Sequence, residues 1–292
     1  MELADCGSLE KIADEIFRQM SEIPTPVPIE DIALALDIAD IRGLEADGFE
    51  GGLVTDAERS SGAILVKEGS SLERRRFTVG HELGHFLCTW HQPPANDGFR
   101  CSTGDMRKTI TGQVDRLADI EVQANRFSVL LLLPAVAISR DLKKKAGVDI
   151  EHILYLAGRY QMSKEATARR YVELRGERCA AIVSHLGKVL RIYRQRDFPF
   201  IDVRSGEAIP RTAITARLNP PLGRPSDCET VDGSTWLSTT IGTRLPSLYE
   251  QVLVQANGYR LTLLSFDEDE VDEAAEDEEL RESWAIRFKG KR

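Results

Sequence analysis

Histidine and cysteine are both scarce in this chain, five of each in 292 residues. The cysteines (Cys6, Cys88, Cys101, Cys179 and Cys228) are odd in number and scattered, with no CxxC pair. That excludes a disulfide-stapled scaffold and a thiolate zinc knuckle, and it points to reduced thiols in a cytoplasm. Long apolar runs are missing too. The longest, Val129–Leu133, is far short of the roughly 20 residues that a membrane helix needs. The start, Met1-Glu2-Leu3-Ala4-Asp5, is acidic and lacks the apolar stretch of a secretory signal. The expectation is a cytoplasmic protein with no membrane partner. A hydrophobic fraction of 42% suffices for packed cores, and the length suggests about two domains.

The net charge of −9 is local in origin. Between Asp267 and Glu282 stand eleven acidic residues and one arginine, a charge of −10, which leaves the rest of the chain near neutral. Like charges repel and extend, so this stretch reads as a solvated acidic loop rather than a docking site for a basic partner. It does not exclude nucleic-acid binding elsewhere in the chain.

Against this scarcity, two histidines fall four apart with a glutamate beside the first: His81-Glu82-Leu83-Gly84-His85. This is the HExxH pattern. On an α-helix, residues four apart rise about 6 Å and share a face, so both imidazoles can grip one tetrahedral metal ion. Glu82, one position round, is placed to hold the metal-bound water without being a ligand. The stretch Ser70-Ser71-Leu72-Glu73 reads as a capping box that starts the helix near Ser71. Phe77, Val79, Leu83, Phe86 and Leu87 make it apolar almost all round, as suits a helix in a core. Gly80 and Gly84 each cost about 1 kcal/mol relative to alanine, so the helix must need close backbone approach, by a neighbour of the metal site or by substrate. Pro93-Pro94 is expected to end it.

A third protein ligand has two candidates. His91 gives the spacing His81-x3-His85-x5-His91 of metzincins, but that pattern needs glycine at position 88, where this chain has cysteine. If the helix continues, His91 lies about 9 Å along from His85 and out of reach. Glu121 lies in a second expected helix, about Asp115 to Leu133, stopped by Pro134. There Leu117, Ile120, Ala124, Phe127 and Leu131 form an apolar stripe that Glu121 borders, with Asn125 one turn below it. Spacing alone leaves Glu121 open between a ligand and an ordinary solvent-facing glutamate.

The run Phe77-Thr78-Val79-Gly80-His81-Glu82-Leu83-Gly84-His85-Phe86, followed by Glu121-x2-Ala124-Asn125-x-Phe127 and Leu131-Leu132-Leu133-Pro134, resembles the ImmA/IrrE metallopeptidase family. The resemblance extends upstream through Pro26-Val27-Pro28-Ile29-Glu30-Asp31-Ile32-Ala33, Gly62-Ala63-Ile64-Leu65-Val66 and Arg74-Arg75-Arg76-Phe77, and covers roughly residues 20 to 175. It implies that His81, His85 and Glu121 bind the metal and that Glu82 is the base. Two departures are visible: Gly80 replaces the usual alanine before the first histidine, and the segment from Gln92 to Gly112 is long.

Two imidazoles and a carboxylate make zinc the default cofactor, with manganese or iron able to compete. A peptide substrate is expected to lie antiparallel along an edge strand, with Ala63–Val66 the best candidate. His91 and Arg100 are guesses for the group that stabilises the oxyanion.

Residues 149 to 175 can be read as a helix-turn-helix, with Ile150 to Arg159 as one helix and Ser163 capping a second through Arg175. Arg169, Arg170 and Arg175 could meet phosphate. The apolar face of Leu154, Leu156, Ala157, Ala166, Tyr171 and Leu174 suits any packed helical pair, so a structural or substrate-docking role is favoured over DNA reading. Beyond residue 178 the chain turns β-rich. Cys179–Ser184 and Val189–Tyr193 flank a hairpin turn, Gln251–Gln255 and Tyr259–Phe266 flank the Asn257-Gly258 pair, and Trp284–Phe288 could close the sheet. Some members of the resembling family carry a GAF-like sensor here, but no local motif specifies one.

The resulting expectation is an α+β protein: a zincin-like metallopeptidase domain over 1–147, a helix-turn-helix-like segment over 148–177, and a β-rich C-terminal domain over 178–292 with an acidic loop at 267–282. The family resemblance implies a metal-dependent endopeptidase that cleaves a helix-turn-helix (XRE-type) repressor and so derepresses stress-response or mobile-element genes. Two alternatives stay open: an anti-repressor that binds without cutting, and a DNA-binding regulator whose metal site is structural or sensory.

Overall fold

The computed structural model describes residues 6–56, 58–92, 99–102, 116–238 and 245–266, with backbone only for 99–102 and 116–118. Eight α-helices and two sheets lie among them, an α+β architecture. By packing, the chain divides into Met1–Asp141 with Tyr155–Thr167, and Leu142–Leu154 with the residues from Ala168 onward.

In the first unit, α1 (Leu9–Arg18) and α2 (Ile29–Ala35) precede strands β1 (Ile38–Leu44), β2 (Phe49–Thr55) and β3 (Gly62–Lys67). After α3 (Leu72–Leu87) and β4 (Phe99–Ser102), the sheet is complete in the order β1-β3-β2-β4. β1 runs parallel to β3, while β2 is antiparallel to both β3 and β4. Strand alternation puts Gly62, Ile64 and Val66 on the buried face of β3. At Gly62 a β-carbon would stand 3.2 Å from the ring of Phe86, so the end of α3 presses directly on the sheet.

This topology corrects one expectation. Ala63–Val66 is not an edge: β3 is hydrogen-bonded on one side to β1 and on the other to β2. Its backbone groups are already satisfied and cannot take a substrate strand. The edge strands are β1 and β4.

α4 (Arg116–Leu132) crosses α3, and α1 packs on α4, helped by an ion pair from Arg126 to Glu10 at 2.8 Å. Of the expected apolar stripe, Ile120, Ala124, Phe127 and Leu131 are buried; the Leu117 side chain lies outside the described residues. α5 (Ala135–Leu142) follows after Pro134. No single helix among the described residues is long and apolar enough to cross a membrane; the bent pair Asp119–Leu132 and Ala135–Leu142 passes only on length and composition.

α6 (Ile150–Tyr160) and α7 (Lys164–Leu174) are joined by a short turn in which Gln161 takes a left-handed backbone and Ser163 Oγ accepts from the Ala166 amide at 3.2 Å. The arginines considered for phosphate are engaged within the protein. Arg170 is buried and pairs with Glu173, and Arg169 pairs with Glu173 and sits over the Tyr193 ring. Arg175, also buried, donates to the carbonyls of Lys145 and Gly147 and to Glu177.

The second unit is built on a five-stranded antiparallel sheet, order β6-β5-β9-β8-β7. β5 (Cys179–His185) and β6 (Lys188–Arg194) turn at Leu186-Gly187, both with positive φ, the backbone that matches strand twist in a two-residue hairpin. After α8 (Ile214–Arg217) and β7 (Glu229–Val231), β8 (Leu248–Val254) and β9 (Tyr259–Ser265) turn through Asn257-Gly258, again at positive φ. Glu250 on β8 is fully buried and accepts from the amides of Ile214 and Thr215 and from Trp236 Nε1, tying α8 and Trp236 to the sheet. The acidic stretch 267–282 and Trp284–Phe288 lie outside the described residues.

Candidate metal centre

The site begins with α3. Ser71 caps it, its Oγ accepting from the Arg74 amide at 3.3 Å, so the helix starts where expected, with Arg74 rather than Glu73 at the third helical position. Its far end differs from expectation. The helix stops at Leu87, and Cys88 takes an extended backbone, well before Pro93. Arg59, from the loop between β2 and β3, caps that end. Its guanidinium donates to the carbonyls of His85 and Phe86, which a helix terminus leaves without partners, and to those of Cys88 and His91 just beyond it.

His81, Glu82 and His85 are all fully buried. Gly80 and Gly84 face α4, not an open cleft: a β-carbon at 80 would stand 2.7 Å from Ser128 Oγ, and one at 84 would stand 3.0 Å from Phe127 Cδ1. The two helices therefore cross nearly backbone to side chain, and the crossing carries Glu121 of α4 over the histidines. Glu121 Oε2 lies 3.3 Å from His81 Nε2 and its Oε1 lies 3.4 Å from His85 Nε2, while the two Nε2 atoms are 3.1 Å apart. Of the two residues weighed for the third place, Glu121 is the one at the cluster.

The direction of these nitrogens follows from their other partners. His81 Nδ1 lies 3.0 Å from Asn125 Oδ1; an amide oxygen only accepts, so Nδ1 carries the proton and Nε2 presents a lone pair. Asn125 sits one turn beyond Glu121 on the same helix, so one helix supplies both the carboxylate and the orienting group. Lone pairs on two imidazoles and a carboxylate converging at 3.1–3.4 Å repel one another unless a cation lies among them. A tetrahedral ion with bonds near 2.05 Å needs donors spaced at about 3.3 Å. The donor set and its spacing fit a tetrahedral metal ion.

Proton affinities point the same way. Burial pushes the Glu121 carboxyl up, but its bonds to the two imidazoles outweigh this and hold it well below the usual carboxylate range. Burial opposes charge on His81, yet Glu121 and Glu82 raise it, while burial pushes His85 down to about 3. Glu121 is thus held ionised and His85 neutral, the states in which each can donate to a metal cation.

His91 was expected out of reach on a continued helix. Because α3 ends at Leu87, the chain turns back and the buried His91 ring meets His85 from behind, Nδ1 to Nδ1 at 3.1 Å. It contacts a candidate ligand without being one of the cluster of three. Burial pushes its pKa down to about 4, so the ring is neutral. The Arg100 side chain lies outside the described residues. Arg59, Trp90 and Gln123 were not singled out by sequence. Arg59 has no sequence signal, since its partners are carbonyls 26 to 32 residues away, whereas Gln123 stands two residues from Glu121 and Trp90 adjoins His91.

Residues 41–171 match the family model described as the IrrE N-terminal-like domain, Peptidase_M78. Among solved structures, a Mycobacterium tuberculosis transcriptional regulator is similar in fold, with a TM-score of 0.58 at 14% identity over 88% of this chain and 76% of that one. A comparison with curated proteins found no match.

Proposed function

With residues 41–171 belonging to the Peptidase_M78 family, we propose that this chain is a metal-dependent endopeptidase acting on another protein. The observation that carries the proposal is the convergence of His81, His85 and Glu121 beside the fully buried Glu82.

His81 and His85 on one helix and Glu121 on the next would hold the ion, zinc by the chemistry of its donors, with a fourth position left open. The ion, when bound, supplies Lewis acidity and a nucleophile at neutral pH. Glu82 is the general base: its carboxylate takes the proton of the attacking water and returns it to the leaving amine, work typically worth about 10² to 10⁴ in rate. Asn125 holds the His81 ring in the tautomer that points Nε2 at the site. The buried surroundings, Leu83, Ala124 and Phe127 among them, keep bulk water from these groups. An extended substrate would pair with β4, the edge strand that follows His91 in the chain.

The preferred substrate is a helix-turn-helix repressor of the XRE type, cleaved to release stress-response or mobile-element genes; this part rests on the family resemblance. Direct DNA reading by α6 and α7 is the weaker reading, because Arg170 and Arg175 are buried and committed to partners within the protein.

The test is co-expression with the helix-turn-helix regulator encoded nearest to this gene, followed by intact mass. A discrete fragment made by wild type and by neither Glu82→Gln nor Glu121→Ala is expected. Release of an uncut regulator from DNA by wild type and Glu82→Gln alike would overturn the peptidase in favour of sequestration.

A further inference from the structure

The two metal histidines are oriented through different partners on α4: Asn125 holds His81 directly, whereas Gln123 acts on His85 only through intermediates. His85 is held instead by a chain of hydrogen bonds that begins at an indole. Trp90 Nε1 donates to Gln123 Oε1 at 2.7 Å. An indole N–H can only donate, so this bond identifies the Gln123 oxygen. The other end of the amide agrees: Gln123 Nε2 donates to Asp119 Oδ2 at 3.1 Å.

The rest of the chain follows by exclusion. His91 Nε2 lies 3.3 Å from the same Gln123 oxygen and must donate to it. A neutral imidazole has one N–H, so His91 Nδ1 is left as an acceptor. That nitrogen is 3.1 Å from His85 Nδ1, which must therefore carry the proton. The lone pair of His85 is then on Nε2, the atom 3.4 Å from Glu121 Oε1 and 3.1 Å from His81 Nε2. The Arg59 guanidinium, bonded to the carbonyls of His85 and His91 together, fixes the backbone that brings the two rings edge to edge.

We propose that Trp90, Gln123 and His91 form a relay that sets the tautomer of His85, which makes His91 a positioning residue for the metal site rather than a ligand or an oxyanion donor. The proposal rests on the metal-site reading above and extends it. Partners behind a ligating histidine typically govern 10- to 100-fold in metal affinity. The scaffold offers a discriminating substitution: the Oδ1 of asparagine occupies nearly the place of histidine Nδ1, so His91→Asn keeps the acceptor that His91→Leu removes.

The experiment uses the full chain and two readouts. Competition against a chromophoric chelator measures zinc affinity, and the visible spectrum of the cobalt-loaded protein reports ligand geometry. Long-range ¹H–¹⁵N spectra of the metal-free protein report which nitrogen of His85 is protonated. His91→Leu is expected to bind zinc 10- to 100-fold more weakly, with an altered cobalt spectrum and mixed tautomers at His85. His91→Asn is expected to stay within a few-fold of wild type in all three. Equal binding by His91→Leu and wild type, or an equal loss in His91→Asn, overturns the relay. Should His91→Leu fail to fold, Gln123→Leu against Gln123→Glu makes the same comparison one bond further out, and equal affinities there overturn it. Wild type that takes up no metal sinks the metal-site reading instead. The tautomer measurement still decides the relay in that case, and an Nε2-protonated His85 in wild type overturns it.

Discussion

Gly84 of α3 lies so close to Phe127 of α4 that a β-carbon at position 84 would stand 3.0 Å from Cδ1 and 3.3 Å from Cβ of the ring's side chain. This approach, repeated one turn earlier by Gly80 against Ser128, sets the separation of the two helices and with it the reach of Glu121. Gly84→Ala should destabilise the metal-free protein by about 1–3 kcal/mol through overpacking, despite the roughly 1 kcal/mol that alanine contributes in helix propensity. Urea unfolding measures it. A stabilised variant would mean that the helices have slack the structure does not show.

Gly80 and Ser128 should be coupled. Ser128 Oγ donates to the Phe77 carbonyl at 2.9 Å, and a β-carbon on residue 80 would displace it. A double-mutant cycle of Gly80→Ala and Ser128→Ala should show an interaction energy of about 1 kcal/mol, the double variant being less damaged than the two single effects summed. Additivity within about 0.3 kcal/mol would deny the contact.

Glu82 and Glu121 should separate binding from chemistry. Glu82→Gln is expected to purify with the wild-type metal content. Glu121→Ala should weaken metal binding by more than about 100-fold, beyond what a residue behind a ligand controls. Elemental analysis of dialysed protein decides, and metal retained by Glu121→Ala would return the third place to another residue.

Arg59→Met should be costly although it touches no ligand side chain. It strips four carbonyls, two in the last turn of α3 and two just beyond it, of one charged donor, an expected loss of about 2–4 kcal/mol in unfolding free energy. Arg59→Lys should not restore it, because an ammonium cannot reproduce the planar fork. A variant as stable as wild type would show that water caps the helix equally well.

Cys88 should be chemically silent. It is fully buried and its thiol is pushed up to about 12 by that burial, the nearby Arg59 charge pulling the other way without prevailing. At pH 8 the thiolate is therefore scarce. Iodoacetamide followed by peptide mapping should modify the exposed Cys228 and leave Cys88 intact. Rapid alkylation of Cys88 in the folded protein would reopen a ligand or switch role for it.

Much of the site was legible because its logic is local. The His81–His85 pair follows from helical spacing, the start of α3 from Ser71, and the body of α4 from its apolar stripe and the proline that stops it. Both hairpins of the second sheet were readable, the first from the apolar runs Cys179–Ser184 and Val189–Tyr193 that flank its turn, the second from Asn257-Gly258, since positive φ at consecutive turn positions selects few residues. The mistaken edge at Ala63–Val66 has a non-local cause. Strand order depends on which chain segment comes to lie beside β3, and the parallel partner, β1, arrives from more than 20 residues upstream.

By itself the sequence determined the chemistry available here: two imidazoles on one helical face, a glutamate beside them, and an α+β succession of elements. Only the tertiary structure decided how those groups are used. It ended α3 at Leu87, where Arg59 gathers the loose carbonyls, so that His91 turns back onto His85 instead of continuing away from it. It also brought Glu121 and Asn125 across a helix crossing that two glycines permit. Spacing along a helix is fixed by covalent geometry and hydrogen bonding within a few residues. The approach of one helix to another is settled by packing among residues tens of positions apart, and no local pattern records it.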